Sequence, residues 1–385
     1  MVTPRFLRSI SITVPTGFDW TLVVSAIVLI IAGLITMSSF GNTTSDILVI
    51  RQIVFVLIGI IGMVALSFLD ITFFKRSYVV LLLYGIGILS LVALFIAGST
   101  VNGATSWFSF GAFSLQPSDP VKLILILILA KYLSRRHVEI ARFKHLLITF
   151  LYFVVPFGLI LVQPDFGSSL VIIIIWFCMV LVSGLSRRHL LILTITAIAA
   201  GVLLWTSVLL PYQKDRIITF IHPVSDIMGS GYNSYQSMIA VGSGQIIGKG
   251  VGYGTQARLQ FLPEHTTDFI FASFAEEWGL MGSLIIMGLF ALILLRGIRI
   301  ARQASSSFET LVALGIVFYI TSHIIINIGM NIGVLPITGV TLPFMSYGGS
   351  HILTEFFALG LLMSIERFRT RAAHPEDVQH EFFGV

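Results

Sequence analysis

WTLVVSAIVLIIAGLITMSSFGNTTS, from Trp20 to Ser45, contains no charged residue, and an α-helix needs about 20 mainly apolar residues to cross the hydrocarbon core of a bilayer. This run alone predicts a membrane helix. It exceeds the roughly 7–15 apolar residues of a secretory-signal core, and further runs follow, so it reads as an anchor that stays in the protein. Comparable runs cover 52–69, 77–97, about 118–134, 146–164, 166–186, 190–210, 278–295 extended back to about 268, 310–330 and about 350–366. The expectation is an all-α polytopic membrane protein with ten transmembrane helices.

Composition points the same way. The 385 residues are 56% apolar and 11% charged, with a mean hydropathy of +0.97, against roughly 45–50% and ~25% in soluble domains. A soluble globular domain is excluded. One membrane domain, 1–385, is expected, with a core at about 19–368 and tails at 1–18 and 369–385. The lone Cys178 rules out a disulfide framework and a thiolate metal site.

Ten crossings put both termini on one side. Of the 23 Lys and Arg, all but Arg51, Lys122, Lys214, Arg216, Lys249 and Arg258 fall in loops or tails on that side. Cytoplasmic loops carry the excess of positive charge, so both termini are expected in the cytoplasm. Topology thereby accounts for most of the net charge of +5, and no nucleic-acid partner is implied. The outer side receives the longer connections, 98–117, 331–349 and above all 211–267, a large extracytoplasmic loop between helices 7 and 8. Loops of this length are usually functional or disordered, and the apolar and amphipathic stretches in 211–267 favour an ordered, partly embedded one. No inverted repeat suggests a secondary transporter.

Polar groups inside spans are functional candidates by default. Asp119 and Lys122 open the fourth span at i and i+3 and share one helix face. They form either a structural ion pair or a substrate-facing cation set by its acid. Gln163 and Asp165 lie in a turn where Asp165 can cap the next helix. Glu276, Glu277 and Glu355 need partners, and Lys122, Arg51 and Arg216 are the outer-side cations at hand. His323 and Asn327, at i and i+4, suit interhelical hydrogen bonding better than metal binding. Asp268 stands where the long loop enters helix 8, after Pro263, Glu264 and His265 and near Lys249 and Arg258. It can cap that helix together with Thr266 or Thr267, or act as a base. An acid beside cations at the outer surface suits chemistry on an anionic lipid-linked substrate: cations hold a phosphate leaving group and the acid takes a proton from an attacking hydroxyl.

Eight segments in order, Gln116–Lys122, Gln163–Ser169, Tyr212–Arg216, Gly231–Ser237, Ala240–Gly244, Leu262–Glu264 with Asp268–Phe271, Ala275–Gly279 and Pro343–Ser350, resemble the SEDS family (shape, elongation, division and sporulation proteins). The run from Tyr212 to Gly254 is more similar to the RodA, elongation, type than to the FtsW type. The resemblance implies a ten-helix fold, polymerisation of lipid II into undecaprenyl-linked glycan during cell-wall elongation, and a catalytic carboxylate at Asp268. It also implies a functionally sensitive Asp119–Lys122 pair and a class B penicillin-binding protein, a transpeptidase, as partner. Position and resemblance together make Lys122, Asp119, Arg216, Lys249, Arg258, Glu264, Gln236, Ser237, Ser346 and Ser350 candidate substrate contacts. No residue is assigned to a metal, although a divalent cation, Mg or Mn, could assist the leaving group. Two departures stand out: the family usually has Glu at the place of Asp119, and His two residues before the aspartate, where this chain has Thr266 with His265 one place early. A lipid II flippase and a non-catalytic scaffold for the penicillin-binding protein remain the alternatives.

Overall fold

The computed structural model describes residues 18–372 apart from 42, 102–103, 111–112, 135–142, 186, 209–213, 215–219 and 221–230. Arg216 lies outside the described residues. The first long helices are α1 (Trp20–Ser38), α2 (Thr43–Phe68), α3 (Ser77–Ala97), α4 (Ser118–Ser134), α5 (Phe143–Val162), α6 (Phe166–Val182) and α7 (Arg187–Leu203). Two shorter ones, α8 (Tyr232–Ser243) and α9 (Thr255–Arg258), precede α10 (Ile270–Gln303), α11 (Ser307–Asn331) and α12 (Gly349–Ala372). Among the described residues seven helices are long and apolar enough to cross a membrane, and α6 is a shorter apolar one.

Local chemistry sets several starts. Asp19 accepts from the backbone N–H groups of Thr21 and Leu22, and Asp165 from that of Ser168, each satisfying amides that an α-helix leaves unpaired. Asp165 is therefore the cap its sequence position suggested. Ser306 caps α11, its Oγ accepting from Glu309 N–H (3.5 Å), while the Glu309 carboxylate accepts from Ser305 N–H (3.0 Å) and Ser306 Oγ (2.8 Å).

The connection after α3 corrects the all-α expectation. It is an antiparallel sheet of β1 (Ser99–Val101), β2 (Ala104–Phe110) and β3 (Phe113–Leu115) in the order β1-β2-β3, with Phe108 opposite Leu115 and Phe110 opposite Phe113. Thr105, Trp107, Phe108 and Phe110 are strand formers, in a stretch too short and too polar for a search tuned to membrane helices.

Helix α4 lies at the centre, with Leu125 to Ala130 all buried, and α11 packs against it and against α6 and α10. Where helices meet most closely, glycine makes room. A Cβ on Gly59 or Gly62 would strike the Phe356 or Phe357 ring of α12, and one on Gly33 the backbone of Met345, the small-residue contact that lets membrane helices approach.

Helix α10 is interrupted one turn after Glu276. Gly279 has φ 66° and ψ −165°, and the segment 245–250 threads into the break. Leu280 N–H donates to Gln245 O (2.9 Å) and Met281 N–H to Ile246 O (3.1 Å), while Lys249 and Gly250 donate to the carbonyls of Glu276 and Glu277 (3.0 Å each). The backbone groups freed by the break are thus re-paired, as an apolar surrounding requires.

Candidate active site

The Asp268 turn is built by its backbone. Glu264 takes the left-handed region, φ 52°, and its carbonyl accepts from Thr267 N–H and Phe269 N–H at 3.2 Å each. The next turn begins α10, whose N-cap position is Phe269 with no side-chain cap hydrogen bond. The capping role weighed for Thr266, Thr267 and Asp268 is therefore not what the N-cap shows. The carbonyl of Asp268 accepts from Asn327 (2.9 Å) and Asn331 (3.1 Å) of α11. Its side chain is half-buried, and a Cβ on Gly339 would stand 3.4 Å from Oδ2. The segment 339–348 closes the other flank: Tyr347 N–H donates to Thr266 O (2.9 Å) and Ser346 Oγ to Thr267 O (2.6 Å). His265 is half-buried, its ring meeting Phe40 edge-on at 4.5 Å, and burial pushes its imidazole below the ordinary value of 6.5.

Behind this segment lies a buried ionic cluster. Lys122 Nζ sits 3.0 Å from Asp119 Oδ1, both side chains 3% exposed. Ser350 Oγ donates to Asp119 Oδ2 (2.9 Å), and the backbone N–H of Gln116 donates to Ser350 (3.2 Å). His351 lies between two carboxylates, 3.7 Å from Asp119 and 2.8 Å from Glu355. Gln52 joins from α2, donating to Ser346 O (3.1 Å) and accepting from Gly348 N–H (3.2 Å).

Several candidate contacts are placed differently from expectation. Among the described residues the carboxylates find partners other than Lys122 and Arg51. Glu276 binds Lys249 (2.6 Å) and the N–H groups of Thr255 and Gln256, Glu277 accepts from Ser39 Oγ (2.5 Å) and Gly252 N–H (3.0 Å), and Glu355 pairs with His351. The reason is long-range: 249–256 folds back on the α10 break. Lys249 is thus committed to an ion pair. Ser237 is fully buried and donates to Asn331 O (2.9 Å), and Ser346 and Ser350 are buried too, so these three act on the protein itself and offer no surface to a substrate. Lys122 is equally enclosed. Gln236 is half-buried, whereas Arg258 and Glu264 are exposed, Arg258 donating to Gly252 O (3.2 Å) and Glu264 accepting from Thr267 Oγ1 (3.0 Å). Among the described residues no group of three or more His, Cys, Asp or Glu is placed to hold a metal ion. Asn331, Gln52 and His351 were not singled out from sequence; their signal was a polar side chain at the edge of an apolar run.

With its described residues helical apart from one small sheet, seven of those helices apolar and long enough to cross a bilayer, and a half-buried acid held where one of them begins, the chain is a multi-pass membrane protein. The family model for FtsW, RodA and SpoVE, described as cell cycle protein, matches residues 14–371. The chain belongs to this family, the SEDS proteins. Stage V sporulation protein E of Bacillus subtilis is 36% identical over 92% of this chain and 99% of its own. Peptidoglycan glycosyltransferase MrdB of Escherichia coli is 38% identical over 74% and 77%, and the probable peptidoglycan glycosyltransferase FtsW of Coxiella burnetii 36% identical over 92% and 97%. Identities this close do not separate the elongation, division and sporulation types. Among solved structures, a chain of a peptidoglycan synthase complex that coordinates polymerization and crosslinking superposes with a TM-score of 0.78 at 30% identity, covering 92% of this chain and 99% of that one. The rod shape determining protein RodA of Thermus thermophilus superposes at 0.69 with 29% identity, covering 92% and 98%.

Proposed function

We propose that this chain is a peptidoglycan glycosyltransferase that polymerises lipid II at the outer face of the bacterial cytoplasmic membrane, in cell-wall elongation, beside a class B penicillin-binding protein. Ten crossings with both termini inside accompany this reading, α4, α6 and α12 joining the seven longer apolar helices. The observation that carries it is the half-buried Asp268, its backbone fixed by two asparagines and its carboxylate facing Gly339.

The reaction is an inverting displacement. Asp268 takes the proton of the acceptor sugar hydroxyl, the oxygen attacks the anomeric carbon of the lipid-linked donor, and undecaprenyl pyrophosphate leaves. A general base supplies ~10²–10⁴-fold, so positioning and charge stabilisation supply the rest. Arg258, exposed near the Asp268 turn in sequence, and Arg216 are the candidates to meet the pyrophosphate, since Lys122 and Lys249 are already paired. Against a flippase stands the placement of most of the singled-out polar residues at or near the outer ends of the spans, with no ladder of them through the cytoplasmic half. The test is polymer formation from labelled lipid II by the purified protein with its partner, resolved on a gel. Absence of polymer, with lipid II transported across vesicles instead, would favour the flippase.

A further inference from the structure

The segment 339–348 that flanks Asp268 contains one strained residue. Phe344 has φ 61°, a conformation that costs energy for a side chain of its size, and it is 1% exposed. What holds it there is Glu355: the carboxylate accepts the backbone N–H of Phe344 at 2.9 Å through Oε2, while Oε1 lies 2.8 Å from His351 Nε2. Glu355 is fully buried, so this carboxylate acts within the protein and cannot reach a substrate. Two residues beyond Phe344, Ser346 Oγ accepts from Leu342 N–H (2.8 Å) and donates to Thr267 O (2.6 Å). At the near end of the same segment, His323 Nδ1 lies 3.1 Å from Thr341 O, its ring 4.7 Å from that of His351. The ionic cluster and the Asp268 turn therefore both contact this strained segment.

We infer that Glu355, with His351 as its buried partner, is a positioning residue for Asp268: it pins Phe344 in the left-handed conformation, and the turn this creates sets Ser346 and Gly339 against the Asp268 turn. Asp119 and Lys122 flank the same device, His351 Nδ1 standing 3.7 Å from Asp119 Oδ1. They then act through their hold on the segment, with no direct contact to substrate. The inference rests on Asp268 being the base.

The test compares full-length wild type with Glu355→Gln and Glu355→Leu, in lipid II polymerisation and in hydrogen–deuterium exchange. Glutamine keeps an acceptor for the Phe344 N–H; leucine removes it. In Glu355→Leu, kcat is expected to fall by about 100-fold, the scale of a 1 Å misplacement, with KM within about twofold, whereas Glu355→Gln stays within about threefold of wild type. Exchange is expected to rise in Glu355→Leu over 339–348 and 264–269 and to stay unchanged in α5 and α6. Wild-type kcat in Glu355→Leu, equal losses in both variants, exchange raised across all helices, or a Glu355→Leu protein that does not fold would each overturn the inference. Asp268→Asn is assayed in parallel. Full polymer yield from that variant removes the base assignment alone, since the exchange measurement reads the positioning of the turn independently of activity.

Discussion

Asn327 reaches from α11 to two carbonyl oxygens at once, that of Asp268 at 2.9 Å and that of Val340 at 2.7 Å. One side-chain amide thus ties the acid-bearing turn to the segment that flanks it. Both carbonyls lie in a largely apolar surrounding, where an unpaired polar group is costly, so the geometry of the site is enforced by the same bonds that make it tolerable to bury.

Asp268→Asn keeps the shape and the backbone bonds to Asn327 and Asn331, but an amide does not accept a proton at neutral pH. Polymerisation is expected to fall about 100-fold or more, the general-base contribution, with the thermal midpoint close to wild type. Gel assay of lipid II polymer by monodisperse protein decides it; a near-active variant would shift attention to Glu264.

Lys122→Ala leaves Asp119 buried without its ammonium partner at 3.0 Å. Removing one member of a buried pair costs about 3–5 kcal/mol, while Lys144→Ala, at an exposed position, is expected to change stability by no more than about 0.5 kcal/mol. Thermal unfolding of the two variants in the same detergent measures the difference. Equal midpoints would count against the pair.

Gly279→Ala places a side chain at φ 66° and against the backbone of Gly248. Segment 245–250 is expected to be expelled from the α10 break, at a cost of more than about 1 kcal/mol. A Cβ added at Gly288, on the same helix, would meet no atom within 4 Å, so Gly288→Ala is expected to be neutral or to stabilise by up to about 1 kcal/mol. Midpoints that move together would show that the break is not a structural requirement.

His265 gives a pH signature. Because burial lowers its folded value below 6.5, the unfolded chain binds more protons between the two values, and stability rises with pH across that window. The contribution is complete above 6.5 and lost as pH falls through the folded value. His265→Gln is expected to be less acid-sensitive than wild type in thermal midpoints followed from about pH 7.5 down to about pH 5, and parallel curves for the two proteins would refute it.

The proposed topology puts Tyr253, 71% exposed, outside, and the exposed Ser305 inside. On a Cys178→Ser background, Tyr253→Cys is expected to react with a membrane-impermeant thiol reagent in intact cells and Ser305→Cys only after lysis. The reverse pattern would move Asp268 to the cytoplasmic face.

Much of the fold was legible in the sequence because, in a bilayer, hydropathy and length act on each helix separately. Long uncharged runs announce helices wherever the backbone must satisfy itself, and a cap such as Asp165 is read within four residues. The place of Asp268 at a loop–helix junction was legible too. The sheet at 99–115 was missed since its signal is a few alternating residues. The partners of Glu276, Glu277 and Glu355 could not be read off at all. Each depends on where distant backbone comes to rest: 245–250 in the break at Gly279, and α12 beside α4 so that His351 reaches Asp119. Charge and hydrogen bonding act over a few ångströms in space whatever the separation along the chain, so sequence supplied the ions and the helices, and tertiary structure alone decided which ion met which and which of the candidate residues stayed exposed.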